Sequence, residues 1–344
     1  MWIDAPGPMD CIGRPRIAKN PILRLMDLES IRHAYLRWVI APGLRALGMR
    51  ATFRLAAAIA HGVYRMNTPG GRCARQRMIA AAGVRRVAPD KMIEQMYEHI
   101  ARFWVEVLFT RRLMRPDRWE ALFDVEGRDE LERLATSRRG CLLATGYYGS
   151  LTMGAFALGQ IFRPIHVVAD TAAQPVLAAW QRDLSRIEGV RIVERAGAAR
   201  EIPAVLQRGG AVLMVCEQAR RQGRGVPLRF LGVDIQAYPT LERLARWYNV
   251  PVAVVTCRRA PQPKRFTLAW HSTHDWRDGM NDGDLTREAL ASLERAVWVD
   301  PAQYLWSAPQ DGDSARTGLE SRAHVPSHGG TTFSEPGRIA PVNA

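Results

Sequence analysis

Short apolar runs alternate with helix-like segments through the middle of the chain, and this alternation limits the folds that the chain can adopt. The runs predicted as strands are Cys141–Ala144, Ile165–Val168, Val190–Val193, Ala211–Val215 and Val252–Thr256. The segments predicted as helices between the first four are Leu151–Ile161, Pro175–Ile187 and Ala198–Gln207. Repeated strand–helix alternation favours parallel strands joined by crossover helices. We therefore expect an α/β fold with a mostly parallel sheet and helices on both faces.

The flanking segments extend this pattern and divide the chain into four regions. Val226–Leu231 and Arg265–Trp270 are predicted as further strands, and Leu241–Tyr248 and Asp284–Val299 as further helices. The predicted regions are a flexible N-terminus at 1–21, a helical membrane-associating region at 22–113, an α/β domain at 114–307 and a disordered tail at 308–344. The tail is assigned because small and polar residues dominate it and apolar residues are sparse.

The helical region contains one strongly amphipathic segment, Leu44–Met66. Four basic residues fall within about 60° of one another on a helical wheel, and they are Arg50, Arg54, His61 and Arg65. The residues expected on the opposite side are Met49, Ala56, Ile59 and Val63. Such a helix fits a membrane interface, and it fits equally well an ordinary surface helix packed on the core.

A second helix is predicted over Lys91–Leu113. Its large apolar side chains recur at helical spacing, so we expect them to face the core. They are Met92, Met96, Ile100, Phe103, Trp104 and Val107.

The net charge of +14 favours an anionic partner, unless it reflects only a general preference for arginine. No recognition helix, RNA-binding motif or aromatic-interleaved basic strand is found, so nucleic acid is not expected. The remaining anionic partners are a membrane surface and an acidic carrier protein.

The five cysteines lack metal spacing, which predicts a reducing compartment and no metal site. No apolar run is long enough to span a bilayer, so we expect a cytoplasmic protein with peripheral membrane contact.

The junction Cys141–Gly154 is the best candidate for chemistry. An apolar run ends at Gly146, a tight turn follows, and an apolar helix begins near Leu151. Such a strand–turn–helix junction exposes side chains and free backbone N–H groups at one point. The position where a catalytic base would stand is Tyr147, and the residue five places further on is Thr152.

Two other groups of residues are weaker candidates. Arginines are densest around one loop, where neighbouring glycines would let backbone N–H groups approach an anion; they are Arg195, Arg200, Arg220, Arg221 and Arg224. The alternative is an ordinary solvated loop. His166 and Asp170 have the spacing of a His-x-x-x-Asp acyltransferase motif. On one strand they would lie about 13 Å apart, which favours an ordinary buried histidine.

Five segments together resemble the lipid A late acyltransferases, a branch of the glycerolipid and lysophospholipid acyltransferase superfamily. They are Phe123–Leu131, Arg139–Gly146, Phe230–Gly232, Leu241–Ala245 with Asn249–Val252, and Pro301–Trp306. The resemblance covers residues 25 to 307 approximately. It implies an α/β fold with a helical membrane anchor, and transfer of a fatty acyl chain from acyl carrier protein or acyl-CoA to a hydroxyl. It also implies a His-x4-Asp/Glu motif, in which the imidazole takes the acceptor's proton and the carboxylate orients it.

The sequence departs from the family at these functional positions. Tyr147 takes the place of the histidine, and Thr152 that of the carboxylate. A phenol with an ordinary pKa of about 10 is a poor base near neutrality. Asp170-Thr171 stands where the family often has Arg-Pro, and Glu217-Gln218 replaces its Asp-Gln. The resemblance is therefore closer in the framework than in the site.

These observations predict an acyltransferase-family protein acting on a lipid or lipid-like acceptor at the cytoplasmic face of the inner membrane. The predicted catalytic residues are Tyr147, Ser150, Thr152 and Glu217. The predicted substrate contacts are Tyr148, Gly149, Arg220, Arg221, Arg224 and Phe230. No cofactor is predicted beyond the acyl donor. The alternative is a catalytically inactive homologue that binds an acyl chain or its carrier, or acts as a regulatory protein.

Overall fold

The computed structural model describes residues 40–82, 88–169, 186–217, 225–261 and 265–307. The chain divides into two units, Met1–Gly48 and Met49–Ala344. The described part of the first unit contains helix α1, Ala41–Leu47. Three sequence predictions lie wholly or mainly outside the described residues: the flexible N-terminus, the helix at Pro175–Ile187 and the disordered tail.

The second unit is built on a seven-stranded sheet in the order β1-β9-β8-β2-β5-β3-β4. Its strands are β1 Phe123–Glu126, β2 Cys141–Thr145, β3 Ile165–Ala169, β4 Val190–Glu194, β5 Ala211–Val215, β8 Val252–Arg259 and β9 Phe266–His274. Only β8 and β9 pair antiparallel, which confirms the mostly parallel sheet within the described residues. Two strands form a separate antiparallel hairpin, and they are β6 Val226–Phe230 and β7 Val233–Ala237.

Helices precede the sheet and flank it on both faces. Before the sheet lie α2 Met49–Arg65, α3 Pro69–Ala82, α4 Pro89–Leu108, α5 Thr110–Leu113 and α6 Trp119–Leu122. Within the α/β part lie α7 Arg128–Thr136, α8 Leu151–Phe162, α9 Ala198–Gln207, α10 Thr240–Tyr248 and α11 Asp284–Val297. Among the helices described, none combines the length and the apolar character needed to cross a bilayer.

Side chains of the central strand β2 alternate between two apolar cores. Leu142 and Ala144 face one core, together with residues of α9, α10 and α11. Cys141 and Leu143 face the other, together with residues of α8. A strand buried on both faces reads as a continuous apolar run, as parallel strands covered by helices do. This double burial explains why the strands could be predicted from the sequence.

Three expectations for the helical region were wrong in detail. The predicted helix Leu44–Met66 is interrupted at Gly48, whose φ of +83° lies in the left-handed region. Trp104, which was expected to face the core, is 41% exposed. The helix predicted over Lys91–Leu113 ends at Leu108 and resumes as the short α5.

The topology brings two chain segments together at the carboxyl ends of the parallel strands. β2 and β5 are parallel neighbours, and their last residues, Thr145 and Val215, are register partners. Cys216 then donates its backbone N–H to the Thr145 carbonyl at 2.9 Å. The residues after these strands therefore lie side by side at the carboxyl ends of the parallel strands, where open α/β sheets bind ligands.

Candidate functional site

The turn after β2 is packed too tightly for side chains at two of its positions. A Cβ on Gly146 would come within 2.9 Å of a Glu217 carboxylate oxygen and 2.8 Å of Leu293. Gly149 has a φ of +66°, and a Cβ there would overlap the Cys257 carbonyl. Both glycines are therefore required for the backbone to approach its neighbours so closely.

Glu217 lies against this turn. Its Oε1 accepts a hydrogen bond from the Tyr147 backbone N–H at 2.5 Å. Glu217 is 3% exposed, and within the described part of the chain its Oε2 has no hydrogen-bond partner. Burial raises the pKa of Glu217 to about 7, although the hydrogen bond from Tyr147 partly opposes this rise. The carboxyl group can therefore exchange a proton near neutral pH.

Ser150 is the N-cap of α8 and is fully buried. Its hydroxyl oxygen accepts from the Met153 backbone N–H at 3.4 Å, and its hydroxyl donates to Glu106 Oε2 at 2.7 Å. Side-chain capping of this kind satisfies one of the free N–H groups at a helix start. The structure thus gives Ser150 a capping role, and its catalytic role stays a prediction.

A buried ion pair, Glu106–Arg259, holds the turn from the helical region. Arg259 contacts the carboxylate through both Nε, at 2.6 Å, and Nη2, at 2.8 Å. Its third nitrogen, Nη1, donates to the Gly149 carbonyl at 3.0 Å. Both side chains are at most 5% exposed. Such a bidentate geometry fixes the guanidinium plane and with it the carbonyl that it holds.

The sequence analysis missed this pair because it considered only the apolar side chains of the helix over Lys91–Leu113. The available signal was the charge itself, since Glu106 stands between two valines, Val105 and Val107, and Val107 was expected to face the core. A carboxylate in such a place is rarely fully buried unless it is paired. The sequence alone did not indicate that its partner is 153 residues away.

The segment Pro301–Trp306, which contributed to the resemblance, lies directly beside the turn. Gly149 donates its backbone N–H to the Gln303 carbonyl at 3.0 Å, and Leu305 donates to the Tyr147 carbonyl at 2.9 Å. The Gln303 side chain also joins both backbone groups of Arg259, at 2.7 and 2.9 Å. This segment therefore shapes the site, although it is distant in the sequence.

The other predicted site residues are either buried or not described. Thr152 is 1% exposed, and its hydroxyl has no partner among the described residues. Tyr148 is 1% exposed, and Phe230 is fully buried with its ring 6.1 Å from that of Tyr304. The predicted anion-binding residues Arg220, Arg221 and Arg224 lie outside the described residues, as do Asp170 and Gln218. The substrate-binding roles of all these residues stay predictions.

A small cavity lies below α8, close to the turn. Its lining is mainly apolar and comes from α8 and the strands beneath it; it includes Thr145, Leu151, Gly154, Leu158, Val255 and Cys257. Its volume is about 10 Å³. This is the space of a single water molecule, so this cavity does not hold a fatty acyl chain in this conformation.

The family model for bacterial lipid A biosynthesis acyltransferases matches residues 25–310. The chain belongs to this family. No curated protein matches it. The match confirms the resemblance seen in the sequence and suggests an acyltransferase function. Proteins of this family use an acyl donor and a lipid acceptor and are membrane-associated in general. The His-x4-Asp/Glu motif remains what the resemblance implies, and Tyr147 and Thr152 occupy its positions here.

Proposed function

We propose that the protein transfers a fatty acyl chain from acyl carrier protein or acyl-CoA to a lipid or lipid-like acceptor at the cytoplasmic face of the inner membrane. One structural observation supports the acyl-transfer activity in addition to the family membership. A buried carboxyl group with a pKa near 7, Glu217, stands at the carboxyl ends of β2 and β5. A general base is most effective when its pKa lies near the working pH, so Glu217 can act as the general base in place of the family's histidine.

The Glu217 carboxylate has one oxygen held and one oxygen available. Oε1 accepts from the Tyr147 N–H, while Oε2 has no partner among the described residues. An acceptor hydroxyl or amine would attack the thioester carbonyl and give its proton to Oε2. The C–S bond would then break, and the thiolate would leave with that proton. An amine acceptor of low pKa would need less help from the base than a hydroxyl.

The membrane partner is supported by the exposed surface of α2. Leu55 and Ile59 are 43% and 57% exposed, and Met66 just beyond the helix is 75% exposed. Arg50 and Arg54 are exposed on another side of the same helix, separated around its axis from the apolar side chains by Ala58 and Gly62. An exposed surface that holds both apolar side chains and arginines suits the boundary between acyl chains and anionic headgroups. Nδ1 of His61, on this helix, lies 2.6 Å from a Glu94 carboxylate oxygen, so this side chain is engaged within the protein.

An inactive homologue is the second candidate, and one observation favours it. Tyr147 and Thr152 replace both members of the family's dyad, and losing such groups lowers rates by orders of magnitude. In this case the protein would bind an acyl chain, an acyl carrier or a sister enzyme without turnover.

A single assay separates the two candidates. Purified protein is incubated with labelled acyl carrier protein or acyl-CoA and a lipid extract, and acylated products are identified by mass spectrometry. The enzyme proposal expects turnover that falls at least about 100-fold in Glu217→Gln. Tyr147→Phe and Thr152→Ala test the other predicted residues in the same assay.

Donor binding without turnover, unchanged by Glu217→Gln, would support the inactive homologue instead. Activity gained by Tyr147→His with Thr152→Glu would show that the site still accommodates a substrate.

Vesicle sedimentation tests the proposed membrane surface separately. Binding to anionic vesicles should weaken at least about tenfold in Leu55→Ser/Ile59→Ser, because each buried side chain contributes about 1.5–3 kcal/mol. Arg50→Gln/Arg54→Gln should weaken binding to anionic vesicles more than to neutral ones. A matched control is Ala58→Ser, on the same exposed side of α2. Equal binding by all variants would contradict this surface.

A further inference from the structure

Three side chains at the opposite end of the sheet form a second candidate site. Ser272 and His274 lie near the end of β9, and Glu288 lies on α11. His274 is the register partner of Val252, at the amino end of β8. The turn at Tyr147 follows the carboxyl end of β2, which runs parallel to β8. The two sites are therefore at opposite ends of the strands.

The distances among these side chains are those of a nucleophile, a base and an orienting group. Ser272 Oγ lies 2.8 Å from His274 Nε2, and His274 Nδ1 lies 3.0 Å from Glu288 Oε2. Arg277 donates to the other carboxylate oxygen at 2.7 Å, which fixes the orientation of Glu288. A hydroxyl within hydrogen-bond reach of a base that a third group orients is the diagnostic arrangement for nucleophilic catalysis.

A β-bulge in β9 brings this arrangement about. The register between β8 and β9 shifts so that Trp270 and Ser272 pair with consecutive residues of β8, and His271 is the extra residue. Before the bulge, Leu268 faces the core beneath α8. By simple alternation Ser272 would face the same way, but one extra residue reverses the faces. Ser272 and His274 consequently face α11 instead.

The chemistry of the carboxylate fixes the tautomer of the histidine. An ionised Glu288 can only accept a hydrogen bond, so His274 Nδ1 carries the proton in the neutral imidazole. Nε2 is then an acceptor 2.8 Å from the Ser272 hydroxyl oxygen. In this structure the Ser272 hydroxyl donates to the Oγ of the buried Ser292 at 2.7 Å, so its proton must turn from Ser292 to Nε2 before the attack.

Two of the three side chains border solvent. The His274 and Glu288 side chains are 17% and 36% exposed. Glu288 also forms part of the wall of an open depression of about 540 Å³. The rest of its lining is mostly charged, with Arg277, Asp278, Gly279, Met280, Asp284 and Arg287. Such a lining favours a small polar substrate over a fatty acyl chain.

We propose that Ser272, His274 and Glu288 form a second nucleophilic site that hydrolyses short-chain carboxylic esters. Ser272 Oγ attacks the ester carbonyl carbon, and its proton passes to His274 Nε2. The bond to the alcohol breaks, and the alcohol leaves with that proton, so that the acyl group is now carried by Ser272. Water, activated by His274, then hydrolyses the acyl-serine, releases the carboxylic acid and restores the serine hydroxyl. This activity is independent of the acyl transfer proposed above.

A fluorophosphonate probe and p-nitrophenyl acetate test the proposal on the full-length protein. The probe should attach covalently to the wild-type chain, and tandem mass spectrometry should locate the adduct on Ser272. Labelling and ester hydrolysis should be abolished in Ser272→Ala and fall at least about 100-fold in His274→Gln. Glu288→Gln should cause a smaller loss, because it disturbs only the orientation of the imidazole. The control is Ser137→Ala, an exposed serine whose hydroxyl donates to the Leu134 carbonyl.

Two results would overturn the proposal. One is a wild-type protein that neither labels nor hydrolyses the ester faster than denatured protein does. The other is an adduct that maps to a residue other than Ser272. Because the adduct is located on the wild-type chain, the result does not depend on whether Ser272→Ala folds.

Discussion

Two buried carboxylates adjoin the turn after β2, and their surroundings differ sharply. Glu106 accepts two hydrogen bonds from Arg259 and one from Ser150, so its charge is paired and both oxygens are satisfied. Glu217 accepts one backbone N–H from Tyr147, and in the described part of the chain its Oε2 has no partner. An unsatisfied buried carboxylate is costly for stability. Glu106 therefore belongs to the framework of the turn, whereas Glu217 has the features of a group kept for chemistry.

Breaking the Glu106–Arg259 pair should have the largest effect on stability. Glu106→Gln keeps the shape of the side chain but leaves the Arg259 guanidinium buried and uncompensated. We expect a loss of about 3–5 kcal/mol in the free energy of unfolding, measured by chemical denaturation.

The control for this prediction is an exposed pair on the same protein. Arg265 and Asp124 are 3.4 Å apart, with side chains 45% and 61% exposed. Asp124→Asn should cost less than about 1 kcal/mol. The double variant Glu106→Leu/Arg259→Met should recover part of the loss, because it removes both charges. A Glu106→Gln effect as small as that of Asp124→Asn would contradict the framework role.

Glu217 should make stability depend on pH in the opposite way to an ordinary acidic residue. Its folded pKa of about 7 lies above the ordinary value of 4.5, so the folded state binds the proton more tightly. The resulting stabilisation is fully present below pH 4.5 and is lost as the pH rises through 7. The total change is up to about 3 kcal/mol.

Glu217→Gln sharpens this prediction because glutamine does not titrate. Unfolding midpoints of the wild type and the variant are compared at intervals from pH 5 to pH 8. The difference between the two proteins should change across this interval, with the wild type losing stability relative to the variant. The size of the stability difference between wild type and variant at any single pH is less informative, because the glutamine amide brings its own N–H groups into the pocket. A pH-independent difference would show that Glu217 is ionised throughout.

The sequence predicted the framework better than the site, and particular residues show why. The apolar run Ala211–Val215 was predicted with its observed bounds, because double burial leaves a local pattern. β7 was not predicted, since its short alternating pattern, Val233–Ala237, resembles a loop. The Glu106–Arg259 pair and the contacts of Gln303 join residues far apart in the chain, and no local pattern reports such contacts. The bulge at His271 was equally invisible, although it decides which way Ser272 faces.

Ser150→Ala should have an intermediate effect. The substitution removes the N-cap of α8 and one donor to Glu106, which together should cost about 1–2 kcal/mol. Thermal denaturation followed by circular dichroism measures the loss. Ser137→Ala serves as the control, because Ser137 is exposed and should contribute little. A loss no greater than in Ser137→Ala would show that the turn is held by Arg259 and Gln303 alone.

Thr152→Val should have the smallest effect and separates two hydroxyls on the same turn. Thr152 is as deeply buried as Ser150, but its hydroxyl has no partner among the described residues. Removing an unsatisfied hydroxyl while keeping the side-chain shape should be neutral or stabilising by about 1 kcal/mol. The measurement is the unfolding free energy relative to wild type and to Ser150→Ala. A loss as large as that of Ser150→Ala would mean that Thr152 makes a hydrogen bond in solution. In that case Thr152, at the position of the family's carboxylate, would still make a polar contact. This result would favour an active site built around Thr152 as well as Glu217.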